Sequence, residues 1–153
     1  AKNAITNNVQ VIYCIGETLD QREKGTTAEV LKTQLSALAV NTFKISSKLL
    51  ETIEKDQWKH IVIAYEPVWA IGTGKTATPE IAQEAHDTIR KWIAENVDKD
   101  VAAATRIIYG GIDIWKNNDG VGSVNDKNCG DLIKQNDIDG FLVRKLVILL
   151  SVF

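Results

Sequence analysis

Apolar residues gather in four short runs along the chain. Residues 9–15 end on Gly16-Glu17. Ile61–Tyr65 ends on Glu66-Pro67. Residues 106–109 end on Gly110-Gly111, and residues 140–143 begin a fourth run. Runs of this length, rich in Ile and Val and stopped by Gly, Pro or charge, predict buried strands. Between them the apolar period lengthens. Residues 18–39 are helix-like: Thr27 is placed to cap a helix on which Val30, Leu31, Leu35 and Leu38 recur at helical spacing. Residues 78–96 predict the clearest helix, with Thr78 as cap, Pro79 in the first turn, and Ile81, Ala85, Ile89, Trp92 and Ile93 along one face. Residues 126–135 predict a short helix. The stretch 41–56, rich in Lys, Ser and Thr, fits either a helix or an inserted loop. Strands alternating with helices predict an α/β fold with a parallel sheet. Four strands leave sheet edges open, so the order suits part of a larger closed barrel.

Composition narrows the function classes. A chain of 153 residues, 44% hydrophobic and 25% charged, has enough apolar surface for one domain with a core. A net charge of −2 gives no reason to expect nucleic acid or an anionic membrane as partner. Cys14 and Cys129 are too few for a disulfide framework and fit no zinc spacing, which points to a reducing, cytosolic setting. No signal peptide is visible, and the apolar run 146–150, continuing through Ser151 to Phe153, is far too short to span a bilayer.

The most informative stretch is 65–77. It places Glu66 at the C-terminal end of a strand and follows it with a Gly-rich loop, where α/β folds hold their chemistry. Gly72-Thr73-Gly74-Lys75-Thr76 imitates a nucleotide-binding P-loop, but Trp69 stands where the earlier glycine is required. Gly72, Gly74 and Ala77 formally match a dinucleotide fingerprint, yet Gly72 lies well past the strand end and the tight strand-to-helix turn is missing. Beside Pro67 and Trp69, Glu66 is partly desolvated, which raises a carboxyl pKa and suits it to proton abstraction. The apolar residues Val68, Trp69, Ala70 and Ile71 on a hinged loop equip it to close over a substrate and exclude water. Alone, Glu66 would read as a solvated loop glutamate. Tyr109-Gly110-Gly111 fits either a backbone approach to phosphate or a plain turn. His60 and His86 read as structural or exposed, Cys14 as a small buried hydrophobe, and Glu17 as functional or merely solvated.

On these residues the chain resembles the triosephosphate isomerase family. Residues 61–97 look like that family's sixth strand, mobile loop and following helix. Val11-Ile12-Tyr13-Cys14-Ile15-Gly16-Glu17 resembles its fifth strand. Arg106-Ile107-Ile108-Tyr109-Gly110-Gly111, with Ser123-Val124-Asn125 later, resembles its seventh, and Asp137-Ile138-Asp139-Gly140-Phe141-Leu142-Val143 its eighth. The resemblance implies a (β/α)8 barrel of which residues 1–153 cover about strands 5 to 8. It implies a homodimeric, cofactor-free and metal-free enzyme of glycolysis and gluconeogenesis, interconverting dihydroxyacetone phosphate and glyceraldehyde 3-phosphate in the cytoplasm. By the same resemblance Glu66 is the catalytic base. Gly72, Ser123, Gly110 and Gly111 bind the substrate phosphate. Pro67, Val68 and Trp69, with Lys75, Thr76 and Ala77, form the loop's two hinges. Tyr109 and Ser123 hold the closed loop, and Glu17 contacts Trp69.

The chain also departs from the family pattern. It starts just before the fifth strand, so no residue stands in for the family's catalytic lysine and histidine electrophile. Residues 41–53 and 112–122 read as insertions, the second separating Gly111 from Ser123, and 144–153 is an atypical tail where the family has glycines. These departures predict that the isolated chain is inactive and poorly stable. They leave as the alternative a non-catalytic barrel fragment acting in binding or assembly.

Overall fold

The computed structural model describes residues 1–39, 53–70, 76–110, 124 and 127–142. In chain order the elements are α1 (Lys2–Thr6), β1 (Val11–Ile15), α2 (Leu19–Glu23), α3 (Thr27–Ala39), a 3-10 turn (Lys55–His60), β2 (Ile61–Tyr65), a second 3-10 turn (Val68–Ala70), α4 (Pro79–Asn96), α5 (Lys99–Ala104), β3 (Arg106–Gly110), α6 (Cys129–Leu132) and β4 (Gly140–Leu142). The strands form one parallel sheet in the order β1-β2-β3-β4, with Val11 beside Ile61, Ile63 beside Ile107, and Tyr109 beside Phe141. This is the sequential, helix-connected arrangement that the apolar pattern predicts, and it leaves β1 and β4 as edges among the described residues.

The strand period decides what is buried. Ile15, Ile61, Ile63, Tyr65, Ile107 and Tyr109 point to the helical face and pack on Leu31, Leu35 and Leu38 of α3 and on Ala82, Ala85, Ile89, Trp92 and Ile93 of α4. The opposite phase carries Ile12, Cys14, Val62 and Ile108, and of these Ile12 is 52% exposed. Cys14 is therefore exposed and not the buried hydrophobe expected. Its side chain falls in the phase of an edge strand turned away from α3 and α4.

The helices differ from the sequence pattern in instructive ways. The helix-like stretch 18–39 holds two helices, the second starting close to the expected cap Thr27. Thr18 closes a capping box with Gln21 at the start of α2, and Gly25, at φ 70°, breaks the chain before α3. Thr27 lies inside α3, whose first carbonyl acceptor is Thr26, so the cap falls one residue earlier than expected. Of the described residues 127–135 only Cys129–Leu132 is helical. α4 begins as expected, with Thr78 Oγ1 accepting from Ile81 N–H and Pro79 following. Ala82 and His86 complete its buried face, while Ile81 lies only half-buried. The 3-10 turn at 55–60 and helices α1 and α5 are not foreseen by periodicity. Asp98 caps α5 by accepting from the N–H groups of Asp100 and Val101. Of the stretch 41–53 only Ile53 is described, buried and donating to Leu38 O at 3.1 Å. Residues 112–122 and 144–153 lie outside the described residues. No described helix is long and apolar enough to cross a membrane.

Candidate active site

The C-terminal ends of β1 and β2 continue to follow each other beyond the strands. Glu66 N–H donates to Ile15 O at 2.8 Å, and Val68 N–H donates to Glu17 O at 3.0 Å. This close track requires glycine at 16. A Cβ there would sit 1.9 Å from Glu66 O, inside any permitted contact. Backbone pairing thus delivers Glu66 to the sheet's C-terminal rim, where the residue is 9% exposed. Its strand phase is that of Ala64 and Val62, so it belongs to the face turned away from α3 and α4.

Behind Glu66 lies a second carboxylate. Glu17 has no exposed surface. Its oxygens accept from Tyr65 Oη at 3.0 and 3.1 Å, from Trp69 Nε1 at 2.8 Å and from Arg22 Nη1 at 3.4 Å. A buried carboxylate persists only with such partners. Burial, reinforced by the Glu17 charge, drives the Tyr65 hydroxyl far above its ordinary value, so it remains a donor. Arg22 also lies over the Trp69 ring, 5.2 Å from its centre, close enough for a cation–π contact. Trp69 is therefore held by its N–H and by one face.

Tyr109, on β3, is fully buried. Its ring lies 6.0 Å from that of Tyr65 and 6.1 Å from that of His86. His86 stands edge-on to Tyr65 at 5.8 Å, and its Nδ1 lies 3.0 Å from the carbonyl oxygen of Asp137, so Nδ1 carries the proton. Burial holds His86 down at about 4, so the ring is neutral at pH 7. Gly110 adopts φ 140°, and a Cβ there would lie 2.8 Å from Leu142 O; glycine is needed where β3 and β4 end together.

The structure brings together Glu17, Glu66, Pro67, Val68 and Trp69 at the ends of β1 and β2, and places Tyr109 and Gly110 at the end of β3. Pro67 is buried and Val68 is 49% exposed. Across the loop Thr76 is exposed and Ala77 is buried in the core. Gly72, Lys75, Gly111 and Ser123 lie outside the described residues. Sequence reasoning gave no site role to Arg22 or Tyr65, and of its two readings of His86, structural or exposed, the structural one holds. Arg22 lies five residues beyond Glu17, on the helix that follows it, with no local pattern to pair them, and Tyr65 reads only as the end of a buried strand.

Comparison with known proteins adds the family. The family model described as triosephosphate isomerase matches residues 1–153. The chain is 50% identical over 142 residues to the triosephosphate isomerase of Emericella nidulans, covering 93% of this chain and 48% of that one. It is 51% identical to that of Entamoeba histolytica, covering 93% and 46%. It is 49% identical to the cytosolic triosephosphate isomerase of Oryza sativa subsp. japonica, covering 92% and 46%. The chain thus spans about half the length of the curated relatives it matches.

Proposed function

The chain belongs to the triosephosphate isomerase family, and on that footing we propose that it supplies the base-bearing half of a site that interconverts dihydroxyacetone phosphate and glyceraldehyde 3-phosphate in the cytoplasm. Glu66 is the base. Its carboxylate takes a proton from the substrate carbon next to the carbonyl, leaving an enediolate, and the same proton returns to the neighbouring carbon. No cofactor is consumed, because the substrate's own electrons move between the two carbons. The observation that carries this reading is the setting of Glu66. It is a nearly buried carboxylate at a strand's C-terminal end, with Trp69 of the same loop anchored on Glu17 behind it. A base in a dry setting abstracts a carbon-bound proton more readily than a hydrated one.

The remaining roles follow the same reading. Gly72, Gly110, Gly111 and Ser123 bind the substrate phosphate through backbone N–H groups and a hydroxyl. Pro67, Val68 and Trp69 hinge the loop at one end and Lys75, Thr76 and Ala77 at the other, and Tyr109 receives the loop when it closes. The electrophilic histidine and the lysine belong to the barrel half that this chain does not contain, and the complete enzyme is a homodimer. The stretches 41–53 and 112–122 are insertions into this frame.

The test is Glu66→Gln in this chain assembled with an N-terminal half of the barrel from a relative. We expect kcat to fall by about 10³-fold with KM nearly unchanged, because the amide keeps the shape and loses the base. Phosphoglycolate, which mimics the enediolate, should bind the wild-type protein. Full turnover by Glu66→Gln, or no binding of phosphoglycolate, would sink the assignment.

A further inference from the structure

Gly16 is held by one side chain on both of its backbone groups. Its N–H donates to Gln34 Oε1 at 2.9 Å, and its carbonyl accepts from Gln34 Nε2 at 3.0 Å. The Tyr13 hydroxyl donates to the backbone carbonyl of Gln34 at 3.0 Å. Three bonds therefore tie the middle of α3 to the end of β1. Gly16 lies just past the last paired residue of β1, where a backbone N–H and C=O would otherwise be left without ladder partners. A side-chain amide, with one donor and one acceptor, matches that pair of needs.

The consequence reaches Glu66. Gly16 is the residue on which the Glu66 carbonyl rests, at a separation that excludes even a methyl group, and Glu66 N–H is bonded to Ile15 O. The backbone of Glu66 thus takes its position from residues 15 and 16, and residue 16 takes its own from Gln34. We propose that Gln34 is a positioning residue for Glu66: α3 fixes the peptide plane of Gly16, and Gly16 sets the height of Glu66 at the sheet rim. The kinetic part of this inference rests on Glu66 being the base; the structural part does not.

The experiment is amide hydrogen exchange at Glu66 in the intact protein, with turnover measured alongside. Gln34→Leu keeps the bulk and removes both bonds. The Glu66 amide should exchange about tenfold faster, as expected for the loss of ordinary hydrogen bonds. Amides in the middle of β2 should be unchanged. Gln34→Glu provides the second variant. At pH 7 its carboxylate accepts from Gly16 N–H but faces the Gly16 carbonyl with like charge. Once protonated it can donate there, so exchange relative to wild type at the same pH should recover as the pH falls through the carboxyl range. That recovery is not expected of a residue that only fills space. In turnover, kcat should fall about tenfold with KM unchanged. Unaltered protection of Glu66 in both variants, or an equal loss at every amide of the sheet, overturns the proposal. A wild-type chain that shows no turnover even when assembled with an N-terminal half of the barrel would instead count against Glu66 as base and leave the exchange comparison standing.

Discussion

Glu17 and His86 show how single buried polar groups shape this site. Glu17 is a carboxylate without exposed surface, stabilised by three donors that converge from α2, β2 and the loop after β2. His86 stays neutral because burial disfavours its charged form and holds it at about 4. The unfolded chain binds a proton near the ordinary value of 6.5, so between the two values it carries more protons than the folded one. Stability contributed by the neutral ring is therefore complete above about pH 6.5, declines as the pH falls, and is gone below about 4. The loss is roughly 3 kcal/mol over that window. His86→Phe should flatten this part of the profile, as urea titrations at pH 7 and pH 4.5 would show. An unchanged slope would mean that other groups produce it. Glu17 and Glu66 illustrate what residue patterns convey. Both stand at strand ends, so their location was legible. The depth of Glu17 was not, because Arg22, Tyr65 and Trp69 meet only after folding.

At the scale of elements, α4 organises the second half of the chain. Arg90 reaches from it in several directions. Its Nε donates to Asp137 Oδ1 at 2.6 Å, Nη1 to the carbonyls of Ala102 and Thr105, and Nη2 to Asp139 Oδ2 at 2.8 Å. Gln83, two turns earlier, donates from Nε2 to Asp137 Oδ2 and accepts at Oε1 from the Asp137 backbone N–H. The ends of α5 and the entries to β3 and β4 are thus fixed by one side chain of α4 and its neighbour. Arg90→Leu should cost about 3 kcal/mol, since it removes the cation from Asp137 and Asp139, which among the described residues keep only Gln83 and the Ile107 N–H as donors, and a donor from the carbonyls of Ala102, Thr105 and Asp137. Chemical denaturation of the variant measures this directly, and a cost below ~1 kcal/mol would place the pairing among ordinary surface ion pairs. The helix itself was plain in the sequence, because Thr78, Pro79 and the apolar face of 82–93 are local signals. Asp137 and Asp139 carried no such signal. They read as loop carboxylates until the fold sets them beside Arg90. The start of α3 was legible as well, in Thr27 and the apolar repeat after it, whereas the short α2, ended at Gly25 by a left-handed backbone, has no apolar repeat of its own.

The described residues form a sheet with one covered face. α3 and α4 cover Ile15, Ile63, Tyr65, Ile107 and Tyr109, whereas Ile12, Cys14, Val62 and Ile108 occupy the other phase, with Ile12 and Cys14 exposed at the β1 edge. In the family's closed barrel that face is the interior, filled by side chains from all eight strands. Four strands cannot fill it, and an open parallel sheet with an apolar face is poorly stable in water. Residues 1–153 expressed alone should therefore show no isomerase turnover, lacking the electrophile as well as half the interior. The exposed thiol offers a measurement independent of catalysis. In a Cys129→Ser background, Cys14 should react readily with a thiol reagent in the isolated chain. Mixing with a separately expressed N-terminal half from a relative such as the Emericella nidulans protein should slow that reaction at least tenfold, because the partner strands enclose the β1 edge. Protection should appear together with turnover if the halves assemble as a barrel. Protection without turnover would mark a binding partner that covers the face yet does not complete the site. A thiol already protected in the chain alone would mean that its own residues close the face, and the half-barrel account of the molecule would have to be abandoned.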